Sequence, residues 1–338
     1  MCSARRIAES THRIEYGRTV TNYPLLSPST RIYIAGHRGL VGSALMRHFA
    51  GCGFENLIGL DSSELDLRDA RATETFFRVA RPVVVIDAAA RVGGIGANAR
   101  RPADFLSDNL RIQLNLLDSA VSNGVERFLF LGSSCIYPKF AAQPIREETL
   151  LTGPLEETNE GYAVAKIAGI AQVAAIRRQH HVPYISAMPT NLYGPGDNFD
   201  ARDSHVVPAM LRRFHDAMLA EAPYVTCWGT GRPRRDLVHV DDFADACHFL
   251  LDHYDGDHPI NVGSGTDLPI SEIARLVAET VGYRGEIRWD SSEPDGTPRK
   301  LLDVRRLSGL GWSAKTPVAE GIRTTYAWFL THRDSYRR

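Results

Sequence analysis

A phenol and an ammonium one helical turn apart, in the run Tyr162-Ala-Val-Ala-Lys166, are the groups of this chain best suited to do chemistry. Positions i and i+4 of a helix share a face, so both can converge on one substrate atom. A neighbouring ammonium favours phenolate and is expected to lower the tyrosine pKa, as a proton donor working near neutral pH requires. Upstream, the loop Gly132-Ser133-Ser134-Cys135 adds a hydroxyl and a thiol. Together these groups describe a hydride-transfer site. Any long helix can supply Tyr-x-x-x-Lys, so the pair takes its weight from the order of the other motifs.

The first of those motifs is a dinucleotide cradle. Arg31-Ile-Tyr-Ile-Ala35 is short, β-branched and aromatic, and it runs into Gly36-His-Arg38-Gly39-Leu40-Val41-Gly42 and an amphipathic stretch from Ser43 to Phe49. Strand, glycine turn and helix in that order make a phosphate-binding turn, with the pyrophosphate at the helix N-terminus. Gly36 permits the tight turn, Gly39 lets backbone approach the ligand, and Gly42 lets helix and strand pack closely.

The elements that must position these groups alternate. Short apolar runs at Asn56–Leu60, Val83–Asp87, Arg127–Leu131 and Tyr184–Met188 read as strands. Leu106, Leu110, Leu114, Leu117 and Val121 recur at helical spacing behind Pro102. Such alternation predicts an α/β fold, a Rossmann-like doubly wound parallel sheet, for residues 30–190 plus 237–263. Residues 191–236 plus 264–338 are expected to form a smaller, discontinuous substrate domain over the crevice. Its elements would be a helix from Val206 to Leu219 and strands Tyr224–Trp228 and Glu286–Trp289. Pro189 to Arg202 reads as a long loop, and strand Pro259–Val262 as a return to the main sheet.

Composition limits the role. Acidic and basic residues nearly cancel, leaving a formal net charge of −1, which argues against a nucleic-acid partner. No apolar run reaches membrane-spanning length. Residues 1–29 are polar without a central apolar block, and are expected to be a partly disordered extension on a cytoplasmic protein. Five cysteines without paired spacing fit reduced thiols better than a disulfide framework or a zinc site, so no metal is expected.

The glycine motif, Ser133-Ser-Cys135, Tyr162-x-x-x-Lys166 and Arg235-Asp-Leu-Val-His239-Val-Asp-Asp242 together resemble the extended short-chain dehydrogenase/reductases. Within that superfamily the chain is similar to the GDP-L-fucose synthases. The similarity lies in Ile34–Ser43, Leu131–Lys139, Met188–Pro195 and Pro294–Asp303, and it runs from about residue 30 to the end. The resemblance implies 3,5-epimerisation and 4-keto reduction of GDP-4-keto-6-deoxy-mannose by a homodimer using NADP(H). Tyr162 would then give the proton, Lys166 would tune it and hold the nicotinamide ribose, and Ser133 would hydrogen-bond the carbonyl oxygen. Cys135 and His205 would be the two acid/base groups of epimerisation. In an extended segment Cys135 shares a face with Ser133. Taken alone, Cys135 reads as a small buried hydrophobe and His205 as an ordinary helix-start residue. Arg213 and Arg235 would hold the diphosphate, Trp228 would pack on the substrate, and Asp295 would touch the nucleotide. The resemblance further puts Leu40, Val41, Asp66, Leu67, Ala89, Pro189, Asn191, Leu192 and His205 beside the cofactor. His239, Asp241 and Asp242 read as scaffold.

One stretch departs from the family pattern, which implies arginines after the second strand to hold a 2′-phosphate. Here it reads Gly59-Leu-Asp61-Ser-Ser63. Asp61 follows Gly42 by the roughly 20 residues at which an acid recognises the ribose hydroxyl of NAD. This leaves NAD(H) open beside NADP(H), with Arg38 still available to neutralise a phosphate. It also admits a different 6-deoxy or heptose GDP-sugar. An NAD-dependent 4-epimerase needs neither Cys135 nor His205. A dehydratase carries Asp-Glu where this chain has Ser134-Cys135. A redox-sensing regulator without catalysis would have no need of the Tyr/Lys pair.

Overall fold

The computed structural model describes residues 26–200, 204–293 and 295–333. In the first half, β1 (Ile32–Ala35), α1 (Leu40–Gly51), β2 (Leu57–Ile58), α2 (Ala70–Ala80) and β3 (Val84–Asp87) alternate. They are followed by α3 (Ile95–Arg100), α4 (Pro102–Ser122), β4 (Arg127–Leu131), α5 (Glu160–His180) and β5 (Tyr184–Pro189). Then come β6 (Asn191–Tyr193), α6 (Val206–Leu219), β7 (Tyr224–Trp228), β8 (Arg234–Arg235), β9 (Leu237–His239), α7 (Val240–His253) and β10 (Ile260–Val262). The chain finishes through β11 (Leu268–Pro269), α8 (Ile270–Val281), β12 (Glu286–Asp290), β13 (Arg299–Lys300), α9 (Arg305–Leu310) and α10 (Val318–His332).

The main sheet has six parallel strands in the order β10-β5-β4-β3-β1-β2. It is the doubly wound fold the alternation predicts. Its strands are buried on both faces, which is why they read as nearly continuous apolar runs. Leu129 and Leu131 of β4 feed one core beneath α1 and α7, whereas Phe128 and Phe130 feed the other beneath α4 and α5. The strand order reverses between β1 and β3, where such sheets open a ligand crevice at their carboxyl ends.

A third apolar cluster joins α6, α8 and α10 to the parallel pair β7 and β12. β8 lies between β11 and β13 in a small sheet. The stretch expected to be one loop after Met188 instead contains β6, which pairs with β9. Its prolines and glycines flank a three-residue strand too short to show a period. Residues 26–29 also differ from the expected extension: Leu26 packs on the first core and its N–H donates to Asp252 at 3.0 Å. The expectation for residues 1–25 lies outside the described residues.

Candidate active site

The loop after β4 and the first turns of α5 bring three sequence-predicted groups together. Ser133 stands close enough to the Tyr162 phenol for its hydroxyl to favour phenolate, and its Oγ lies 2.8 Å from Cys135 Sγ. One serine thus neighbours both the candidate reductive proton donor and the candidate epimerising thiol. The meeting of Ser133 and Cys135 has a different cause from the one expected. Ser134–Ile136 is a turn of 3₁₀ helix with Ser133 as its N-cap, so curvature rather than strand alternation joins the two side chains.

Packing fixes α5 against β4. A Cβ on Gly169 would stand 2.3 Å from the Phe130 ring, so the helix approaches the sheet as only glycine allows. One turn earlier, Lys166 is buried with its Nζ 4.7 Å from the same ring centroid, and it donates to Leu131 O at 2.8 Å. The expected lowering of the tyrosine is not found. Burial pushes the Tyr162 phenol well above its ordinary value, the charges of Cys135 and Asp87 add to this, and the Ser133 hydrogen bond opposes it. The residue is therefore a neutral phenol, the form that a proton donor in the reductive direction needs.

Asp87, which the sequence reading gave no role, supplies the counter-charge. It is fully buried at the end of β3, accepts from Ala89 N at 3.1 Å, and leaves Oδ2 without a hydrogen-bond partner among the described residues. Burial pushes its pKa up to about 6, and the Lys166 ammonium opposes the rise. Burial in turn lowers Lys166, and Asp87 restores it. A carboxylate closing an otherwise apolar strand was the available signal. Asp87→Asn should therefore move the alkaline limb of a reductive pH–rate profile about one unit downward, the weight of roughly 1.4 kcal/mol of lost pairing. Because the folded pKa is raised, the native state gains from protonation of Asp87 at low pH and loses that gain as pH rises through about 6. Denaturant midpoints of the variant should accordingly vary less between about pH 4 and 6 than those of the parent.

His205 caps α6 by position alone, making no side-chain cap bond. The surrounding protein mass, and after it the Lys300 ammonium, lower its pKa and keep the imidazole neutral at pH 7. Lys300 also interacts with Cys135 and lines a polar cleft with Cys135, Lys139 and Glu156. It is the second group missed: its position depends on β13 pairing with β8, for which local sequence carries no signal. Beside Tyr162, a cavity of about 260 Å³ is lined by Asn98, Pro102, Glu157 and Thr158.

The remaining expected residues divide between two ends of the crevice. At the sheet end, Gly36 has φ +76°, and a Cβ there would stand 2.7 Å from Ala88 O and 2.8 Å from Ala89 Cα. A Cβ on Gly42 would stand 2.1 Å from Gly36 O, so Gly42 packs on the turn itself rather than on the strand. Gly39 caps α1 without a side-chain bond, and the first-turn amides from Leu40, Val41 and Gly42 suit a pyrophosphate. The turn thus fits a dinucleotide. Asp61 has protein partners of its own at the rim of the turn. Its Oδ1 accepts from Ser63 N and Oγ, and its Oδ2 pairs with Arg38 at 2.7 Å. Asp66 pairs with Arg68 at 2.8 Å, Leu67 packs on the second core, and Leu192 on the first. Pro189 ends β5, and Asn191 donates to Asp236 O at 2.9 Å.

At the far end, Arg213 on α6 donates to Thr226 O at 3.0 Å, and Trp228 is 63% exposed where β7 ends. Asp295 accepts from Thr230 N at 2.6 Å and Oγ1 at 2.7 Å and faces Arg235, which donates to Thr297 O at 2.7 Å. Two cations, an exposed indole and a carboxylate therefore share one end of the crevice, a set suited to a nucleoside diphosphate.

A model of the NAD dependent epimerase/dehydratase family matches residues 32–263. The chain is 55% identical over 306 residues to a putative GDP-L-fucose synthase 2 of Arabidopsis thaliana, covering 90% of this chain and 93% of that one. Among solved structures, a GDP-6-OMe-4-keto-L-xylo-heptose reductase from C. jejuni superposes with TM-score 0.87 at 33% identity, covering 91% and 100% of the two chains. An NADP-bound GDP-L-fucose synthetase from Naegleria fowleri does so with TM-score 0.86 at 26% identity, covering 93% and 98%.

Proposed function

Because the chain belongs to the NAD dependent epimerase/dehydratase family, within its GDP-L-fucose synthase branch, we propose that it converts GDP-4-keto-6-deoxy-mannose to GDP-L-fucose. The observation that carries the reading is Ser133, whose hydroxyl contacts the Cys135 thiol at 2.8 Å and neighbours the Tyr162 phenol. A 4-ketone held there sits beside a proton donor for its oxygen and an acid/base group for its neighbouring carbons. The carbonyl acidifies those carbons. Cys135 and His205 remove and return their protons, one of them as the neutral imidazole that its surroundings favour. Ser133 then polarises the ketone, Tyr162 protonates the growing alkoxide, and Lys166 keeps positive charge beneath the site. The reduced nicotinamide cofactor, when bound, supplies the hydride. Arg213 and Arg235 hold the diphosphate, Trp228 covers the substrate, and Asp295 meets the nucleotide.

The Arg38–Asp61 ion pair favours NADP(H) over NAD(H) in this reading, since it occupies the carboxylate and places a guanidinium at the ribose end. Arg38→Ala should cut kcat/KM for NADPH by about 10–100-fold, a loss of roughly 1.4–2.7 kcal/mol, and change that for NADH little. A parent enzyme that prefers NADH would return Asp61 to the ribose hydroxyl. The overall test is incubation with GDP-4-keto-6-deoxy-mannose and each reduced nicotinamide, with identification of the sugar formed. GDP-L-fucose is the expected product, and a 4-reduced sugar without inversion at the two neighbouring centres would reassign the enzyme to a plain GDP-sugar reductase. The proposal also carries a homodimer, by analogy with the family, which sedimentation of the full chain tests. No helix of the described residues is long and apolar enough to cross a membrane.

A further inference from the structure

Away from the crevice, two histidines and a cysteine converge on the outer surface where α7 packs along α1. His48 and Cys52 stand one turn apart at the carboxyl end of α1, and His248 faces them from the middle of α7. His48 Nε2 lies 3.1 Å from His248 Nδ1 and 3.7 Å from Cys52 Sγ, and all three atoms fall within 4.8 Å of one another. We propose that His48, Cys52 and His248 form a binding site for a divalent transition metal of borderline softness, with zinc the first choice.

The geometry suits such an ion. A tetrahedral zinc holds nitrogen at about 2.0–2.1 Å and sulfur at about 2.3 Å, which separates two nitrogens by about 3.3 Å and nitrogen from sulfur by about 3.6 Å. The observed spacings need only small side-chain adjustments. The donor set of two imidazoles and a thiolate selects zinc or its softer neighbours over magnesium and calcium, which take oxygen. The chain also supplies the outer contacts that metal-binding histidines use. His248 Nε2 lies 3.5 Å from Asp252 Oδ2, so the ring keeps its proton on that side and directs the Nδ1 lone pair at the site. Phe49 and Phe54 pack on the His248 ring at centroid distances of 4.8 and 5.4 Å and fix its plane. Cys52 is exposed, which gives the ion an entry path and leaves a fourth position for water.

Binding expels the Cys52 thiol proton to solvent and shifts the remaining His48 proton to Nδ1, so both imidazoles stay neutral as ligands. The ion then ties the end of α1 to α7. The glycine turn lies at the opposite end of α1, about 18 Å along a helix of this length. The site is therefore structural, and the inference is independent of the proposed reaction. Cysteine spacing alone could not reveal it, because folding brings His248 to the pair from far along the chain.

The test uses the full chain, reduced and freed of metal, titrated with cobalt(II) and then with zinc(II). One equivalent of cobalt should give a thiolate-to-metal charge-transfer band with intense tetrahedral ligand-field bands, and zinc should erase both. Cys52→Ser should abolish the charge-transfer band, and His248→Ala should weaken cobalt binding at least tenfold. Zinc should raise the Tm of the parent but not of Cys52→Ser, and metal-free Cys52→Ser should turn over keto-sugar at the parental rate. Persistence of the band in Cys52→Ser would place cobalt on another thiol and overturn the proposal. So would equal midpoints in parent and His248→Ala, or no spectrum at stoichiometric cobalt.

Discussion

Tyr162→Phe should lower 4-keto reduction by about 10²–10⁴-fold, the usual weight of a positioned general acid. The change removes one oxygen and keeps the ring, so folding should be little affected. The pKa direction makes the prediction sharp. A phenol raised by burial keeps its proton across the working pH range and gives it up to the alkoxide. Single-turnover oxidation of the reduced nicotinamide measures the loss. Exchange of sugar protons with deuterated solvent, which needs no hydride, should continue in the variant. Full reductive turnover by Tyr162→Phe would remove the phenol from the mechanism.

Cys135→Ala should reduce that same deuterium exchange by about 10²–10⁴-fold. A 4-ketone prepared with both neighbouring centres already inverted should still be reduced within a few-fold of the parent. The contrast arises because Ser133 lies between the two tasks: it contacts Cys135 at 2.8 Å and neighbours Tyr162. Removing the thiol leaves the serine with its phenol partner. If the variant epimerised freely, the thiol would revert to a small buried side chain behind β4, and His205 would need a different counterpart.

Much of this site can be read in the chain because each motif sits where a strand ends. The glycine turn follows β1, Ser133 and Cys135 follow β4, and the strands announce themselves as apolar runs since both faces are covered. What escaped notice depends on non-local burial. Asp87 looks like the end of a strand until folding brings the Lys166 charge within electrostatic reach from α5. Lys300 acquires its neighbours only when β13 pairs with β8, and the Arg38 partner of Asp61 comes to it from the glycine turn. The tyrosine shows the same limit. Helical spacing places an amine one turn from the phenol, but only the packed structure reveals that the amine bonds to Leu131 O and that burial dominates the phenol.

The closure of the glycine turn has a consequence for anyone wishing to retrain this protein to another dinucleotide. With Gly42 pressed on Gly36 O, and Gly36 itself against Ala88, no side chain can be introduced at either place without displacing main chain. In the proposed reading sterics fix the turn that meets the shared pyrophosphate, and discrimination between dinucleotides falls to the Arg38–Asp61 pair at the rim. A library that varies positions 38 and 61 and spares the turn should recover altered cofactor choice with the fold intact.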